Sequence, residues 1–244
     1  MRTDRSIFSV TGTDREDFLQ GLVTNDVAKL KDGLVYAALL TPQGKYLADF
    51  FLVPAEGAIL IDVKTDIAVQ TIQRLSMYKL RANVEIAEST LKVGCGTGPM
   101  PVGAFADPRH PALGWRHYSE APQSDDTDWT ALRVEHQIPE TGVELTPDSY
   151  ILEVGFEDLH GVDFRKGCYV GQEVTARMKH KTELRKGLAQ VSVSGDAATG
   201  ADITKDGKPV GTLLSRAGDR ALAYLRFDRA DGPLKADAAT LHRL

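Results

Sequence analysis

The stretch KGCYVGQE, from Lys166 to Glu173, contains one of only two cysteines in the chain. Apolar residues recur at every fourth position from Val170 to Met178, which predicts a helix that begins just after Cys168. A thiol at a helix start lies near unpaired amides and the positive end of the helix dipole. Arg165 and Lys166 add positive charge nearby. All of these effects favour thiolate over thiol, so the stretch predicts a reactive cysteine.

A purely structural role fits the same residues. Gly167 and Gly171 could simply shape a tight turn, and Cys168 could be a small buried side chain within it. The residues of the stretch alone leave both alternatives open.

Composition narrows the class of protein. The chain has 244 residues, 42% hydrophobic and 26% charged, with a net charge of −5, which is typical of a globular protein. The negative charge argues against a nucleic-acid partner. No signal peptide or membrane-spanning run is visible, so no membrane partner is expected. The two cysteines form no disulfide framework. Because this is typical of a protein in a reducing compartment, the predicted location is the cytoplasm.

Other chemistries lack their motifs. A stable iron–sulfur cluster usually takes four ligands, and Cys95 is the only thiol besides Cys168. The histidines show no short metal-ligand pairing, so no resident metal is predicted. The chain has no GxSxG nucleophile elbow and no GxxxxGK[ST] phosphate loop.

The first half of the chain predicts mixed α and β structure. Residues Thr13 to Glu16 resemble a capping box at the start of a helix that carries Phe18, Leu19, Leu22 and Val23. The apolar runs GLVYAALL, KYLADFFLV and AILIDV, separated by the turns TPQG and PAEG, predict an antiparallel β-meander. Asp66 is expected to cap a second helix, and ANVEIAE and LKVGC are expected to be further strands.

The second half begins with a Pro- and Gly-rich connection, from Gly96 to Asp128, around a short strand near GWRHY. Asp128 is expected to cap a short helix from Trp129 to His136. After Lys186, short β segments with an Asp206-Gly207 hairpin turn predict a small β-barrel or sandwich. The predicted fold class is therefore α+β, with a largely antiparallel sheet.

A basic run follows the cysteine motif. ARMKHKTELRKG holds five cations and a single acid, Glu183. This run is either a solvated face or a docking surface for an anionic ligand tail or a charged partner. Its cations are Arg177, Lys179, Lys181, Arg185 and Lys186.

Four segments, in this order, resemble the YgfZ family: DREDFLQGLVTNDV, LTPQGKYLADFFLV, LRVEHQIPETGVEL and KGCYVGQE. YgfZ proteins are folate-binding proteins of iron–sulfur enzyme maturation, related to the aminomethyltransferase (T-protein) of the glycine cleavage system. The likeness covers nearly the whole chain, and KGCYxGQE is its most specific signature.

The resemblance implies a three-domain cloverleaf around a central folate cavity, with a C-terminal β-barrel. Residues 1–184 would form the aminomethyltransferase-like region, made of two intertwined α+β domains. Residues 185–244 would form the barrel.

The resemblance also implies site residues. Cys168 would be the catalytic thiolate, with Lys166 beside it, and tetrahydrofolate or a derivative would be the bound cofactor. Glu135 offers a carboxylate to donor groups of the pterin ring. The implied folate-binding residues are Asn25, Asp49, Arg133, Glu135, Tyr169, Gln172 and Glu173.

Two departures from the T-protein pattern bear on activity. T-proteins tend to carry two adjacent acids where this chain has Ala48 and Asp49, and an Asp-Phe pair where it has Cys168 and Tyr169. Both departures weaken the alternative of a folate-dependent aminomethyltransferase or other one-carbon transferase.

The favoured function is a tetrahydrofolate-binding accessory protein for assembly or repair of iron–sulfur enzymes, whose partners would be those enzymes or assembly proteins. A pure binding module with a structural cysteine is the third possibility.

Overall fold

The computed structural model describes residues 4–181 and 184–244, and the side chain of Lys181 lies outside that description. The chain divides into two compact units. Met1–Thr127 and Glu157–Val174 make up the first unit, and Asp128–Phe156 and Thr175–Leu244 make up the second. The domain division at residues 184 and 185 inferred from the sequence stays a prediction.

The first unit is built on a five-stranded antiparallel sheet. Its strands are β1 (Arg5–Thr11), β2 (Val35–Leu40), β3 (Tyr46–Ala55), β4 (Ala58–Lys64) and β5 (Glu85–Glu88), in the order β2-β3-β4-β1-β5. One face of the sheet packs on an apolar core that includes Val35, Phe50 and Ile61. The predicted meander is confirmed, because β2, β3 and β4 are consecutive antiparallel neighbours.

Two helices border this sheet, α1 (Arg15–Gln20) and α2 (Thr65–Tyr78). Neither is capped as expected. The Thr13 hydroxyl donates to the Asp14 carboxylate and accepts from the Asn83 side chain rather than from a helix amide, and α2 follows Lys64, whose side chain makes no cap bond. Both cap predictions were wrong. The residue that precedes α1 is Asp14 and not Thr13, and the Asp14 carboxylate accepts from the amide of Asn83. Asp66 lies inside the first turn of α2 and therefore does not precede the helix.

The Pro-rich connection contains a separate three-stranded sheet, in the order β6-β8-β7. Its strands are β6 (Lys92–Gly96), β7 (Phe105–Ala106) and β8 (Trp115–Ser119). The expected strand near GWRHY is therefore present as β8. It carries Arg116 and Tyr118 towards the carboxylate of Asp62.

The second unit joins a short helix to a closed barrel. The helix α3 (Trp129–Glu135) is capped as expected, since the Asp128 carboxylate accepts from the amide of Ala131 at 2.9 Å. The helix α4 (Gln172–Lys181) precedes the barrel. The barrel strands are β9 (Lys186–Ser194), β10 (Asp202–Lys205), β11 (Lys208–Ala217), β12 (Arg220–Arg226), β13 (Leu234–Ala236) and β14 (Ala239–Arg243).

The barrel closes in the order β10-β11-β12-β9-β14-β13, with β13 pairing back onto β10. Burial alternates along β9, as expected when one face of a strand faces a core. Asp206 and Gly207 both adopt positive φ, which is the geometry of a two-residue hairpin between β10 and β11. The α+β class with a C-terminal β-barrel is confirmed. Among the described residues, no helix is long and apolar enough to cross a membrane.

Candidate functional site

The loop that carries Cys168 is anchored by the side chain of Lys166. Its ammonium donates to the main-chain carbonyl oxygens of Gln20, Val23 and Asn25, at 2.7, 2.5 and 3.0 Å. The side chain is buried, and the nitrogen lies 5.1 Å from the centre of the Tyr169 ring. Only a protonated amine has three hydrogens for three acceptors. We call this arrangement the Lys166 clamp.

Burial lowers the pKa of Lys166 to about 8, so the group still carries its charge at neutral pH. The ammonium is directed at the carbonyls of the last residue of α1 and of the segment that follows it. The expected role of Lys166 as a cation acting on the Cys168 sulfur therefore has less support than a role in holding the loop.

The FLQGLVTND segment reinforces the clamp with side-chain hydrogen bonds. The Thr24 hydroxyl donates to the carbonyl of Gly161 at 2.7 Å, and the Thr24 carbonyl accepts from the amide of Asp163. The Asn25 amide nitrogen donates to the carbonyls of Tyr36 and His160, at 2.8 and 2.7 Å. Two of the segments that carry the family resemblance therefore bind each other.

Asn25 is committed to these contacts. Its nitrogen serves two carbonyls, and its oxygen accepts from the amide of Asp26 and from Lys29. Lys29 also pairs with Asp163 at 2.7 Å. The expected contact of Asn25 with folate stays a prediction, and the side chain's visible role is to hold the loop.

Cys168 is exposed, whereas Cys95 is buried in β6. The helix expected just after Cys168 begins only at Gln172, so the thiol does not lie at a helix start. The expectation was wrong because Gly171, at φ +85°, reverses the chain before the helix begins. The accessibility of the Cys168 thiol therefore comes from its exposed position on the loop, and the dipole of α4 does not act on it.

Gly171 fits closely against the first hairpin of the sheet. A side chain there would place its Cβ 2.7 Å from the carbonyl oxygen of Thr41 and 2.9 Å from Cβ of Leu40. In the same turn, a Cβ on Gly44 would lie 2.8 Å from Cβ of Val174. Gly167 meets no such neighbour and does not adopt positive φ. Of the two glycines of the motif, only Gly171 is required by the backbone.

Asp49 lies on the sheet face opposite the apolar core. Its carboxylate accepts from the hydroxyls of Tyr36 and Tyr46, at 3.0 and 2.6 Å. Burial, together with the Asp49 charge, raises the pKa of Tyr36 well above its usual value, so the phenol remains a donor. The preceding residue, Ala48, belongs to the apolar core. An acid at position 48 would therefore be buried among aliphatic side chains.

A buried cluster of charges covers the same face. The Asp62 carboxylate pairs with Arg5 at 2.6 Å and with Arg116 at 2.5 Å, and it accepts from the Tyr118 hydroxyl at 2.8 Å. Burial alone would raise the pKa of Asp62, but the two guanidinium groups outweigh it and hold the pKa below its usual range. We call this group the arginine cluster.

Asp107 and Arg109 extend the arginine cluster. They pair at 2.8 Å, and Arg116 lies 3.6 Å from Asp107. The guanidiniums of Arg109 and Arg116 lie 4.8 and 4.0 Å from the centre of the Phe51 ring. Sequence reasoning missed this cluster, although the DPR and GWR triplets within a Pro-rich connection were the signal that could have revealed it.

Two further folate candidates, Arg133 and Glu135, lie on α3, in the second unit. Arg133 lies 3.5 Å from Glu140 and 3.8 Å from Glu144. Its Nη1 atom is buried and, within the described chain, makes no hydrogen bond. Glu135 is exposed. Arg133 is therefore ion-paired with two carboxylates while its Nη1 lacks a hydrogen bond, and Glu135 offers an accessible acceptor.

The other expected ligand residues are close to Cys168 in the chain. Tyr169 is buried against the Lys166 clamp, Gln172 is half-buried at the start of α4, and Glu173 is exposed. Their contact with folate stays a prediction.

The basic run does not form one uniform surface. Arg177, Lys179 and Arg185 are exposed. Lys186 lies 3.8 Å from the buried Glu153 and 5.5 Å from the Tyr224 ring. Glu183, the one acid of the run, is outside the described residues. Lys186 therefore contacts Glu153 and Tyr224 of its own unit, and the docking role of the basic run stays a prediction.

No group of three or more His, Cys, Asp or Glu side chains is placed to hold a metal ion in the ranges 4–181 and 184–244.

The fold is that of an aminomethyltransferase T-protein. The solved structure of the glycine cleavage system aminomethyltransferase T from Bartonella henselae matches with a TM-score of 0.78, covering 99% of this chain and 84% of that one at 14% identity. At this identity the match establishes the fold alone, and it confirms the expected T-protein-like class. Residues 185–243 match the CAF17 C-terminal β-barrel domain.

Sequence relatives define the family more closely. The mouse mitochondrial iron–sulfur cluster assembly factor IBA57 is 30% identical, over 94% of this chain and 78% of its own length. The human protein of that name is 28% identical over 96% of this chain. The chain therefore belongs to the IBA57 family of iron–sulfur cluster assembly factors. The match spans only 55% of the IBA57 homologue of Mycosarcoma maydis, at 31% identity.

These relatives also correct the expected location. The mouse, human and Mycosarcoma maydis proteins are mitochondrial by name, which points to mitochondria rather than the cytoplasm. The cytoplasmic prediction was wrong because a low cysteine count indicates a reducing environment without saying which compartment provides it.

Proposed function

We propose that this protein acts in the assembly of iron–sulfur clusters and that Cys168 is the thiol it uses. The observation that carries the proposal is an exposed Cys168 on a loop that the Lys166 clamp fixes, in a chain of the IBA57 family. An exposed cysteine on an anchored loop can reach iron, sulfide or a thiol of a partner without reorganising the fold. The likeness to YgfZ-type proteins supports the same reading.

The test is complementation in cells that lack the native protein. Cys168→Ser should fold normally, since the side chain is exposed, yet fail to restore the activity of iron–sulfur enzymes. Arg165→Ala, which changes an exposed neighbour, is the matched control and should restore it. Full rescue by Cys168→Ser would remove the thiol from the function.

We further propose that the protein binds tetrahydrofolate. The residues on α3 fit such a ligand: the buried Nη1 of Arg133 makes no hydrogen bond within the described residues, although it lies 3.8 Å from Glu144, and Glu135 offers an exposed carboxylate. A guanidinium N–H can donate to a pterin oxygen, and a carboxylate can accept from pterin N–H groups. When bound, a reduced folate would supply a carrier for one-carbon units.

Calorimetry with tetrahydrofolate should show saturable binding. Glu135→Ala should weaken it roughly tenfold or more, because a charge-assisted hydrogen bond contributes about 1.5–3 kcal/mol. Glu120→Ala, an exposed carboxylate on the other unit, should leave binding unchanged. No heat at millimolar ligand would remove folate from the account while leaving the role of Cys168 intact.

A one-carbon transferase remains the second candidate. Asp49 supplies a single buried acid, already bonded to Tyr36 and Tyr46, and its neighbour Ala48 is part of the apolar core. We expect no turnover in a glycine cleavage assay with the usual protein partners. Measurable turnover would favour the transferase.

A further inference from the structure

The last turn of α3 is held by a side chain of the barrel. Gln190, on strand β9, is half-buried, and its amide nitrogen donates to the main-chain carbonyls of Val134 and Glu135, at 3.0 and 3.4 Å. The final carbonyls of a helix have no partner within the helix itself. Gln190 therefore supplies a donor that α3, a helix of 7 residues, cannot provide.

The two carbonyls that Gln190 binds belong to the peptide groups on either side of the Glu135 α-carbon. One amide nitrogen therefore restrains both backbone dihedrals of Glu135, and with them the direction of its Cα–Cβ bond. The Glu135 carboxylate is exposed, so its direction is set by the main chain that carries it and not by burial. Gln190 thus restrains the backbone that points this carboxylate into solvent.

The chain that follows α3 is fixed as well. The carbonyl of Arg133 accepts from the amide of Ile138 at 2.9 Å. Gln137 adopts φ +53°, in the left-handed region where helices commonly end. The chain therefore reverses two residues after Glu135, and the end of α3 lies between this turn and the barrel strand β9.

The barrel holds the other charged residue of α3 through a separate contact. The Glu144 carboxylate is buried and accepts from the amides of Ser215, on β11, and Glu140, at 3.0 and 2.9 Å. It lies 3.8 Å from Nη1 of Arg133. The guanidinium of Arg133 is therefore held by contacts that do not involve Gln190, so a change at Gln190 acts chiefly on Glu135.

We propose that Gln190 is a positioning residue for pterin recognition, because it binds both peptide groups that flank Glu135 and so directs the Glu135 carboxylate towards the N–H groups of a reduced pterin ring. The inference rests on the proposed binding of tetrahydrofolate. A carboxylate that accepts two parallel N–H bonds recognises its partner by geometry as well as by charge. Such a group has to be held within roughly 0.5 Å of its productive position.

The test is calorimetry of the purified chain with tetrahydrofolate, arranged as a double-mutant cycle. Gln190→Met keeps the length of the side chain and removes its donors. It should weaken binding roughly fivefold, less than Glu135→Ala does, because the carboxylate is misplaced and not removed. In the Glu135→Ala chain, the same change at position 190 should have no further effect, since the two residues act as one unit.

A second measurement locates the effect in the structure. Gln190→Met should speed hydrogen exchange in residues 134–138 and hardly at all in the rest of the barrel. Ser192→Ala is the matched control, because Ser192 also lies on β9 and its hydroxyl donates to a main-chain carbonyl, that of His242, at 3.4 Å. It should leave folate binding and the exchange of residues 134–138 unchanged.

The outcomes separate this inference from the proposal on which it rests. Absence of binding by the unchanged chain would remove the folate ligand, and the role of Gln190 with it. Equal binding by the unchanged chain and by Gln190→Met would overturn the role of Gln190 alone. Equal weakening by Gln190→Met with and without the Glu135 carboxylate would also overturn it, because Gln190 would then act on the unit as a whole.

Discussion

On the sheet of the first unit, the face away from the apolar core carries Tyr36, Asp49, Phe51 and Asp62, bonded to arginines and to each other. The interior of the C-terminal barrel is instead filled by aliphatic side chains such as Leu213. Both regions are antiparallel sheets with buried centres. Truncating a buried apolar side chain lowers stability by an amount that depends on the size of the cavity left behind. Removing one partner of a buried ion pair is strongly destabilising, because the other charge stays buried without compensation. The first unit should therefore be the more sensitive to single changes and to pH.

The largest effect is expected from Asp62→Ala in the arginine cluster. The change leaves Arg5 and Arg116 buried without their shared carboxylate, and breaking a buried pair costs about 3–5 kcal/mol. Chemical denaturation would measure the loss. Asp66→Ala, at an exposed carboxylate on α2, is the control and should change stability little. A loss at position 62 no larger than at position 66 would contradict the account.

The same cluster predicts acid sensitivity. Because the pKa of Asp62 is held below its usual range in the folded state, its stabilising contribution is complete above the unfolded pKa of about 3.9. It is lost as pH falls through the lower folded value. Unfolding curves of Asp62→Asn should therefore depend less on pH below about 4 than those of the unchanged chain. Parallel pH profiles would show that the pairing contributes nothing.

In the barrel, Leu213→Ala should cost about 3 kcal/mol, since it opens a cavity in a fully buried position. This loss should not change below pH 4, because no charge is involved. Leu244→Ala, at a residue 61% exposed, is the matched control. A pH-dependent loss at Leu213 would erase the distinction between the two regions.

The barrel could be predicted from the sequence because the patterns that indicate its strands and turns lie within short stretches of the chain. Alternating burial along β9 and the Asp206-Gly207 turn are visible in a few consecutive residues. The Lys166 clamp could not be predicted, because its acceptors are main-chain carbonyls more than 140 residues away. Such carbonyls have no side-chain signature.

The sequence analysis did not predict the arginine cluster, for a related reason. Asp62 lies in a strand whose sequence is typical of ordinary apolar sheet, and Arg116 lies in a short strand predicted within the Pro- and Gly-rich connection. Only the folded chain brings them to 2.5 Å. For the candidate site, the residues themselves singled out the motif of Cys168, the family resemblance added Glu135, and the helix α3 that carries Glu135 was predicted, whereas the Lys166 clamp that holds the loop of Cys168 was not.

The Lys166 clamp allows a smaller but more local test. Lys166→Met preserves the length of the side chain and leaves three carbonyls without their donor, at a cost of about 2 kcal/mol. Hydrogen exchange should increase most in residues 160–171 and hardly at all in the barrel. Arg165→Ala, next to it but exposed, should leave both unchanged. Uniformly faster exchange across the chain would mean that the clamp does not act on the loop.

The smallest effect is expected at the glycines of the motif. Gly171→Ala should cost at least about 1 kcal/mol, because its positive φ and the nearby Thr41 carbonyl both oppose a side chain. Gly167→Ala should be nearly neutral, since open space surrounds it. Thermal unfolding of the two variants compares them directly. Equal losses would show that the turn geometry does not depend on Gly171.

The central claim is that this fold presents Cys168, and not Cys95, for chemistry. It is tested most directly by alkylating the folded chain with iodoacetamide near neutral pH and following each cysteine by mass spectrometry. Because Cys168 is exposed and Cys95 is 3% exposed within β6, we expect a single site of modification at Cys168. Cys95 should react only as the chain unfolds. Modification of Cys95 at the same rate, or protection of Cys168 in the folded chain, would contradict the account.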